Sequence, residues 1–374
     1  MNQTILCQRN GSEALFSFLE QSGAKKMLLV CDQAFPFLKL AKAFAACPIP
    51  YVVFDQFCPN PLYEDACKGV ELFRKEACDA IVAIGGGSTM DVAKCIKLFC
   101  TMDSHENYLK QEFKENQITL VAVPTTSGTG SESTRFAVIY DHGMKQSISS
   151  PAVIPQLAIL DADVLDTVSL YQKKCTMMDA LCQAIESWWS IHSTEESRNL
   201  SKQAVQMILD AMDGYLNNQP EENEAMLRAA NLAGQAINIT QTTAAHAMSY
   251  KLTSIFGLPH GRAVAVCLPD VWQYMLCHLE RCADPRGEAY LLATLSDISR
   301  AIGCSNPQQA PKRMTDFYVR FFQKEEPENF RMEELDCIVE SVNVARLKNN
   351  PVTLDKEAIR RLYRDIFQTY SNQR

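Results

Sequence analysis

The spacing of hydrophobic and polar positions changes character once along the chain. Up to about residue 160, short apolar runs alternate with stretches of helical periodicity. KMLLVC (26–31), YVVF (51–54), DAIVAI (79–84) and ITLVAV (118–123) read as buried strands, and FAVIY (136–140) and LAIL (157–160) as further strands. Residues 33–46, 62–77 and 89–100 repeat apolar positions at helical spacing. Such alternation predicts βαβ units and a parallel sheet. Past residue 163 strand-like runs nearly vanish, and amphipathic stretches follow at 171–191, 195–216, 222–244, 287–302, 307–323, 331–345 and 355–370. The pattern predicts an α/β domain over 1–163 and an all-helical domain over 164–374.

Composition narrows the function classes. The chain has 374 residues and 47% hydrophobic content, enough for a full core. Its net charge of −8, without a basic block, excludes a nucleic-acid binder, which needs clustered Lys and Arg. A small anionic substrate needs only one or two placed cations. The 15 cysteines form no CxxC pair and no repeating spacing, which excludes a disulfide scaffold or zinc ribbon and fits a reducing compartment. The first residues lack a basic segment followed by an apolar one, and no apolar run reaches the roughly 18 residues of a membrane span. A soluble cytoplasmic protein is the expectation.

Two loops carry the clearest chemistry. In DAIVAIGGGSTMDVAK (79–94) a strand runs into Gly85-Gly86-Gly87-Ser88 and a helix follows. Glycines admit a ligand close to the backbone, and the N–H groups of a helix N-terminus attract a pyrophosphate. The spacing is neither GxGxxG nor a P-loop, and tight αβ turns use the same residues. The second loop, VAVPTTSGTGSEST (121–134), also follows a strand. Ligands of open α/β sheets sit beyond the carboxyl ends of strands, so two such loops converge on one nucleotide crevice. Asp32 ends the first strand, where a carboxylate either accepts hydrogen bonds from a ribose and repels a 2′-phosphate or caps a helix. In the helical half, Asp179 and Gln183 are one turn apart, as are His246 and Tyr250, and His260 sits in the turn GLPHGR. A carboxylate with two imidazoles suits zinc or iron(II), although helical histidines are commonly packing residues.

GGGSTMDVAK, PTTSGTGSE, the Asp179 helix and His246 with PHG at 259–261 together resemble the iron-containing alcohol dehydrogenases, in the same order and at the family's spacing, from about residue 20 to 280. The resemblance implies an N-terminal dinucleotide-binding α/β domain and an all-α C-terminal domain, the fold shared with dehydroquinate synthase. NAD(P) and one divalent metal, Fe2+ or Zn2+, would meet in the cleft between them. Carried over by position, the cofactor residues are Asp32, Asn60, Gly86, Gly87, Ser88, Asp91, Thr125, Thr126, Thr134 and Lys145, with NAD favoured through Asp32. The metal ligands are Asp179, His246 and His260. The family's fourth ligand is a histidine, and Gln183 stands there with a weak, neutral amide oxygen. Tyr250 replaces a histidine suspected of relaying a proton; with a reference pKa near 10 it is the poorer base. Tyr250 and His260 are the expected catalytic residues. A homodimer or larger homo-oligomer is implied.

Within the family, MMDALCQAIESWWS and INITQTTAAHAMSYKLTSIFGLPHGRAVA resemble phosphonoacetaldehyde reductases, which make 2-hydroxyethylphosphonate. A phosphonate needs a cation, and Arg262, Lys251 and Arg135 flank the carried-over site. The competing expectations are a general short-chain alcohol dehydrogenase, a non-redox cyclase like dehydroquinate synthase, and a nucleotide-binding sensor.

Overall fold

The computed structural model describes residues 3–325, 329–342 and 347–371. The chain forms two compact units: Met1–Ser169 with Asp213–Gly234, and Leu170–Met212 with Gln235–Arg374.

The first unit is built on β1 (Thr4–Cys7), β2 (Met27–Cys31), β3 (Tyr51–Phe54), β4 (Ala80–Gly85), β5 (Thr119–Pro124) and β8 (Leu157–Leu160), in the order β1-β8-β5-β4-β2-β3. All pairings are parallel. β2 and β4 are buried along their whole length, which is why they read as unbroken apolar runs rather than alternating ones. Leu28, Val30, Ile81, Ala83 and Leu120 share a core with Val92, Ile96 and Phe99 of α3 (Gly87–Phe99). The unit also contains α1 (Ser12–Gln21) and α2 (Tyr63–Lys75). FAVIY does form a strand, β6 (Phe136–Asp141), but outside this sheet: it pairs antiparallel with β7 (Met144–Ser149), a polar strand the sequence pattern missed. The helix expected over 33–46 is instead two 3-10 segments, Phe35–Phe37 and Lys39–Ala46, separated by an extended Leu38 with ψ 144. Pro36 in the first segment lacks the N–H that an α-helix interior requires. Neither β1 nor α1 was anticipated, the first being a short half-exposed edge strand.

Residues 213–234 join this unit through a backbone contact at the second glycine loop. Gly130 has φ 57, and a Cβ on Gly234 would lie 2.4 Å from the Gly130 carbonyl oxygen. Asn231 Nδ2 donates to Glu132 Oε1 at 2.8 Å and to Ser133 Oγ at 2.7 Å.

The second unit is helical. Its elements include α4 (Leu170–Trp189), α7 (Ala244–Phe256), α8 (His260–Cys277), α9 (Glu288–Ala301), α10 (Ala310–Phe322), α11 (Leu335–Glu340) and α12 (Lys356–Ser371). α5 (Glu195–Leu216) and α6 (Pro220–Thr240) are further helices of the chain's second half. The stretch 222–244 does not run as one helix, because Gln241 adopts φ 60 and α7 starts afresh at Ala244. The stretch 331–345 reduces to a 3-10 turn at Met332–Glu334 and α11, and its residues 343–345 lie outside the described residues. α8 has no counterpart in the sequence pattern. It packs against α4, α7, α10 and α12, and Val264, Val266, Leu268, Val271 and Trp272 are all fully buried. A helix covered on every side shows no amphipathic period, and Pro269 inside it adds a breaker signal. Among the described residues, no helix is long and apolar enough to cross a membrane.

Asp270 follows Pro269 on α8. Burial, with the Asp365 carboxylate nearby, raises it to about 7. A carboxyl whose folded pKa exceeds its unfolded value stabilises below the unfolded pKa, and that stability is lost as pH rises through the folded pKa. The expected outcome is that Asp270→Asn melts above the wild type at pH 8, and that this advantage shrinks steadily as pH falls to 4. Thermal denaturation across that range measures it.

Candidate metal centre and nucleotide loops

In the first unit the two glycine loops leave neighbouring strands. Gly85 pairs with Pro124 at the carboxyl ends of β4 and β5, and Thr125 N–H donates to the Gly85 carbonyl at 3.0 Å. Gly86 caps α3, and a Cβ built on it would lie 3.6 Å from the Thr126 side chain. Asp32 follows β2, the strand on the other side of β4. From β2 the chain moves outward to β3 and returns on the opposite side as β4, so the strand order reverses between Asp32 and the GGGS loop. This is the position where open α/β sheets hold their ligands. Asn60, at φ 59, donates its backbone N–H to Ser88 Oγ at 3.4 Å, which brings it to the same place. Asp32 Oδ1 also accepts the Ala34 N–H at 3.0 Å, so its local capping role is present too.

Asp91, Thr134 and Lys145 are tied into the protein itself. Asp91 accepts from Ser131 Oγ at 3.4 Å and feels the charges of Lys94 and Lys145; burial nonetheless pushes its carboxyl up. Thr134 is buried with its hydroxyl against Lys94 Nζ at 3.1 Å. Lys94, the last residue of GGGSTMDVAK, was missed by sequence reasoning. Its fully buried ammonium donates to the carbonyls of Ser131 (2.6 Å), Thr134 (2.8 Å) and Phe136 (2.8 Å). It holds the second glycine loop against α3. Burial lowers its pKa, and Asp91 and Glu132 offset this in part.

In the second unit, ligand atoms of Asp179, His246 and His260 all lie within 4.8 Å of one another. His246 Nε2 is 3.3 Å and His260 Nε2 3.9 Å from Asp179 Oδ1. His260 is not in a turn but opens α8. Gly261 explains how it gets there. A Cβ at that position would lie 2.0 Å from the Cys175 carbonyl and 2.8 Å from Asp179 Cβ, so only glycine lets α8 begin against the backbone of α4. Gln183, one turn beyond Asp179, is buried and its Oε1 has no hydrogen-bond partner among the described residues. A buried amide oxygen left without a donor costs about 1–3 kcal/mol, which a cation or a water on it would recover. The donor set of one carboxylate, two imidazoles and one amide oxygen therefore fits a divalent metal. Tyr250, one turn beyond His246, lies parallel to the His260 ring (2°) with centroids 5.8 Å apart.

Sequence reasoning also missed Glu186, fully buried on α4 seven residues after Asp179. Its Oε2 meets His246 Nδ1. The signal was available, since positions i and i+7 share a helix face. Burial opposes charging His246, but the Glu186 and Asp179 carboxylates outweigh it and raise the imidazole to about 10. Burial likewise pushes Asp179 up, yet His246, His260 and the Gln183 amide hold it below its ordinary value.

Of the three candidate cations, Arg262 donates from Nε to Tyr318 Oη at 3.2 Å and from Nη1 to Tyr171 Oη at 3.1 Å, and lies over the Phe322 ring at 5.1 Å. Lys251 is half-buried on α7 beside Tyr250. Arg135 lies in the first unit, over the Phe136 ring at 5.5 Å.

Gly261→Ala should destabilise the protein by about 1–3 kcal/mol through overpacking against α4. It should also cut bound divalent metal sharply, because His260 moves with the helix end. Thermal melting and elemental analysis of the purified variant check both.

Comparison with known proteins identifies the family. Residues 2–162 match the iron-containing alcohol dehydrogenase model, and 174–367 match the C-terminal model of the Fe-containing alcohol dehydrogenase family. The chain is 33% identical to a phosphonoacetaldehyde reductase of Streptomyces viridochromogenes over 298 residues, 76% of this chain and 75% of that one. The structure is similar to a sulfoacetaldehyde reductase from Bifidobacterium kashiwanohense in complex with NAD+, with TM-score 0.87 and 26% identity over 98% of this chain and 97% of that one. It is also similar to an iron-containing alcohol dehydrogenase from Thermotoga maritima, with TM-score 0.83 and 26% identity over 98% of both chains. The chain belongs to the iron-containing alcohol dehydrogenase family, as an oxidoreductase of the alcohol dehydrogenase and aldehyde reductase type.

Proposed function

We propose that the protein reduces phosphonoacetaldehyde to 2-hydroxyethylphosphonate with NADH and a divalent metal, Fe2+ or Zn2+. The observation that carries the redox part is the Asp179–His246–His260 cluster with the partnerless Gln183 amide oxygen beside it. Support for the substrate is the relative at 33% identity named for this reaction. The NAD+ complex in the similar sulfoacetaldehyde reductase supports the coenzyme, and that enzyme's named substrate is likewise a two-carbon aldehyde bearing a tetrahedral anion.

When bound, the metal supplies a Lewis acid for the aldehyde oxygen and the nicotinamide supplies a hydride. The chain's part is to bind and orient. Asp179, His246 and His260 would hold the metal, with Gln183 as fourth donor, directly or through a water. The N-terminus of α3, with Gly86, Gly87 and Ser88, would take the pyrophosphate, and Thr125 and Thr126 would face it from the second loop. The Tyr250 hydroxyl, next to His260, would pass a proton to the product oxygen. Membership of an oxidoreductase family stands against the non-redox cyclase and sensor alternatives. A general short-chain aldehyde reductase is separated by substrate. Purified metal-loaded protein should turn over phosphonoacetaldehyde with far higher kcat/KM than propanal, followed at the nicotinamide absorbance; equal or better use of propanal would displace the phosphonate reading.

Lys251 is the best placed of the cations, since the guanidinium of Arg262 is already engaged by two tyrosine hydroxyls. Lys251→Ala should raise KM for phosphonoacetaldehyde about 10- to 100-fold, the equivalent of a charged hydrogen bond of roughly 1.5–3 kcal/mol. Turnover of propanal should barely change. If Lys251→Ala, Arg262→Ala and Arg135→Ala all treat both substrates like the wild type, no phosphonate site exists among them.

The coenzyme preference rests on Asp32. NADH should be used better than NADPH, and Asp32→Gly should narrow the ratio of their kcat/KM values by removing the charge that repels a 2′-phosphate. A wild type that prefers NADPH would place Asp32 elsewhere.

A further inference from the structure

Glu186 lies inside a hydrogen-bond chain whose direction can be read from its ends. Trp189 Nε1 donates to Thr243 Oγ1 at 2.9 Å. An indole N–H can only donate, so the threonine hydroxyl spends a lone pair there and turns its hydrogen to Glu186 Oε1, 2.7 Å away. The same oxygen receives the backbone N–H of Ala245 at 2.9 Å and of His246 at 3.4 Å. Backbone amides also only donate. Oε1 is thus surrounded by donors alone, at the N-terminus of α7, where negative charge is favoured. Every one of these bonds favours the ionised carboxylate. That leaves Oε2, whose partner is His246 Nδ1. An ionised oxygen requires a donor opposite it, so Nδ1 keeps its proton in either charge state of the ring, and Nε2, on the side of Asp179 Oδ1, is the atom whose proton a metal would displace.

Resting on the metal reading above, we infer that Glu186 is a positioning residue that keeps the proton of His246 on Nδ1 and so presents Nε2 to the metal. Thr243, its hydroxyl oriented by Trp189, adds one donor to the Oε1 that the two backbone amides already hold as an acceptor. Glutamine at position 186 inverts the pattern. Its amide oxygen takes the place of Oε1, its NH2 faces Nδ1, and the imidazole proton is driven to Nε2, where it blocks coordination. Thr243→Val removes one donor to Oε1 and the acceptor of the Trp189 N–H but leaves the carboxylate facing Nδ1.

The test combines nitrogen-15 NMR of the histidine rings with Zn2+ titration. The six histidines allow His246 to be assigned by difference from His246→Asn. Nδ1 of His246 should carry a proton in both the metal-free and the Zn2+-loaded wild type. Glu186→Gln should weaken Zn2+ binding about 10- to 100-fold, the usual cost of losing a partner that orients a ligand. Thr243→Val should lower the melting temperature while changing Zn2+ affinity only a few-fold, which a purely structural role for Glu186 does not produce. A wild-type His246 protonated on Nε2 with a bare Nδ1 would overturn the inference, and so would unchanged Zn2+ affinity in a folded Glu186→Gln. The wild-type spectrum decides the matter even if that variant does not fold. A wild type that shows the Nδ1 proton but takes up no Zn2+ bears out the effect of Glu186 on His246 and sinks the metal reading instead.

Discussion

Two carboxylates stand seven residues apart on one face of α4, and both are buried. Removing an ionised carboxylate from water is prohibitive unless donors or cations meet it. That requirement shapes the helical unit. Glu186 is satisfied by the start of α7, and Asp179 by the histidines of α7 and α8. Three helices are held at one point by charge, and the apolar surface of α8 then packs around them. Gly261 is the steric counterpart of the same constraint, since α8 must begin in contact with the α4 backbone for His260 to reach Asp179.

The nucleotide-loop unit solves a different problem. Loops rich in glycine and hydroxyl residues gain little from burial, so something else must hold them in shape. For the second loop this is done from below and from the side. The Lys94 ammonium collects carbonyls from Ser131 to Phe136, and the Gly130–Gly234 contact fixes the loop against residues 213–234. The polar atoms that organise the loop therefore belong to α3, whose N-terminus opens at the first glycine loop. Both features are encoded in one segment, GGGSTMDVAK.

The buried strands were legible because their burial on both faces leaves continuous apolar runs, and the glycine loops were legible because strand, loop and helix follow one another directly. The same logic explains the failures. α8 is buried all round and carries Pro269, so periodicity is silent exactly where the unit's centre lies, and His260 looked like a turn residue because PHG is turn chemistry read locally. β6 has strand composition, but composition says nothing about which sheet a strand joins. Asp179, His246 and His260 stood out through a family pattern, whereas Glu186 and Lys94 act on other protein groups, and their role becomes visible only when partners 60 and about 40 residues away are brought alongside.

The separation of those partners along the chain has a consequence for synthesis. His246 follows Asp179 by 67 residues. At translation rates of about 5–20 residues per second, α4 leaves the ribosome roughly 3–13 seconds before its first imidazole does. During that interval its two carboxylates have no partner, and the helix has no reason to surrender its water. The charged face of α4 thus stays hydrated on the nascent chain until α7 and then α8 arrive, so the cluster of Asp179, His246 and His260 closes late.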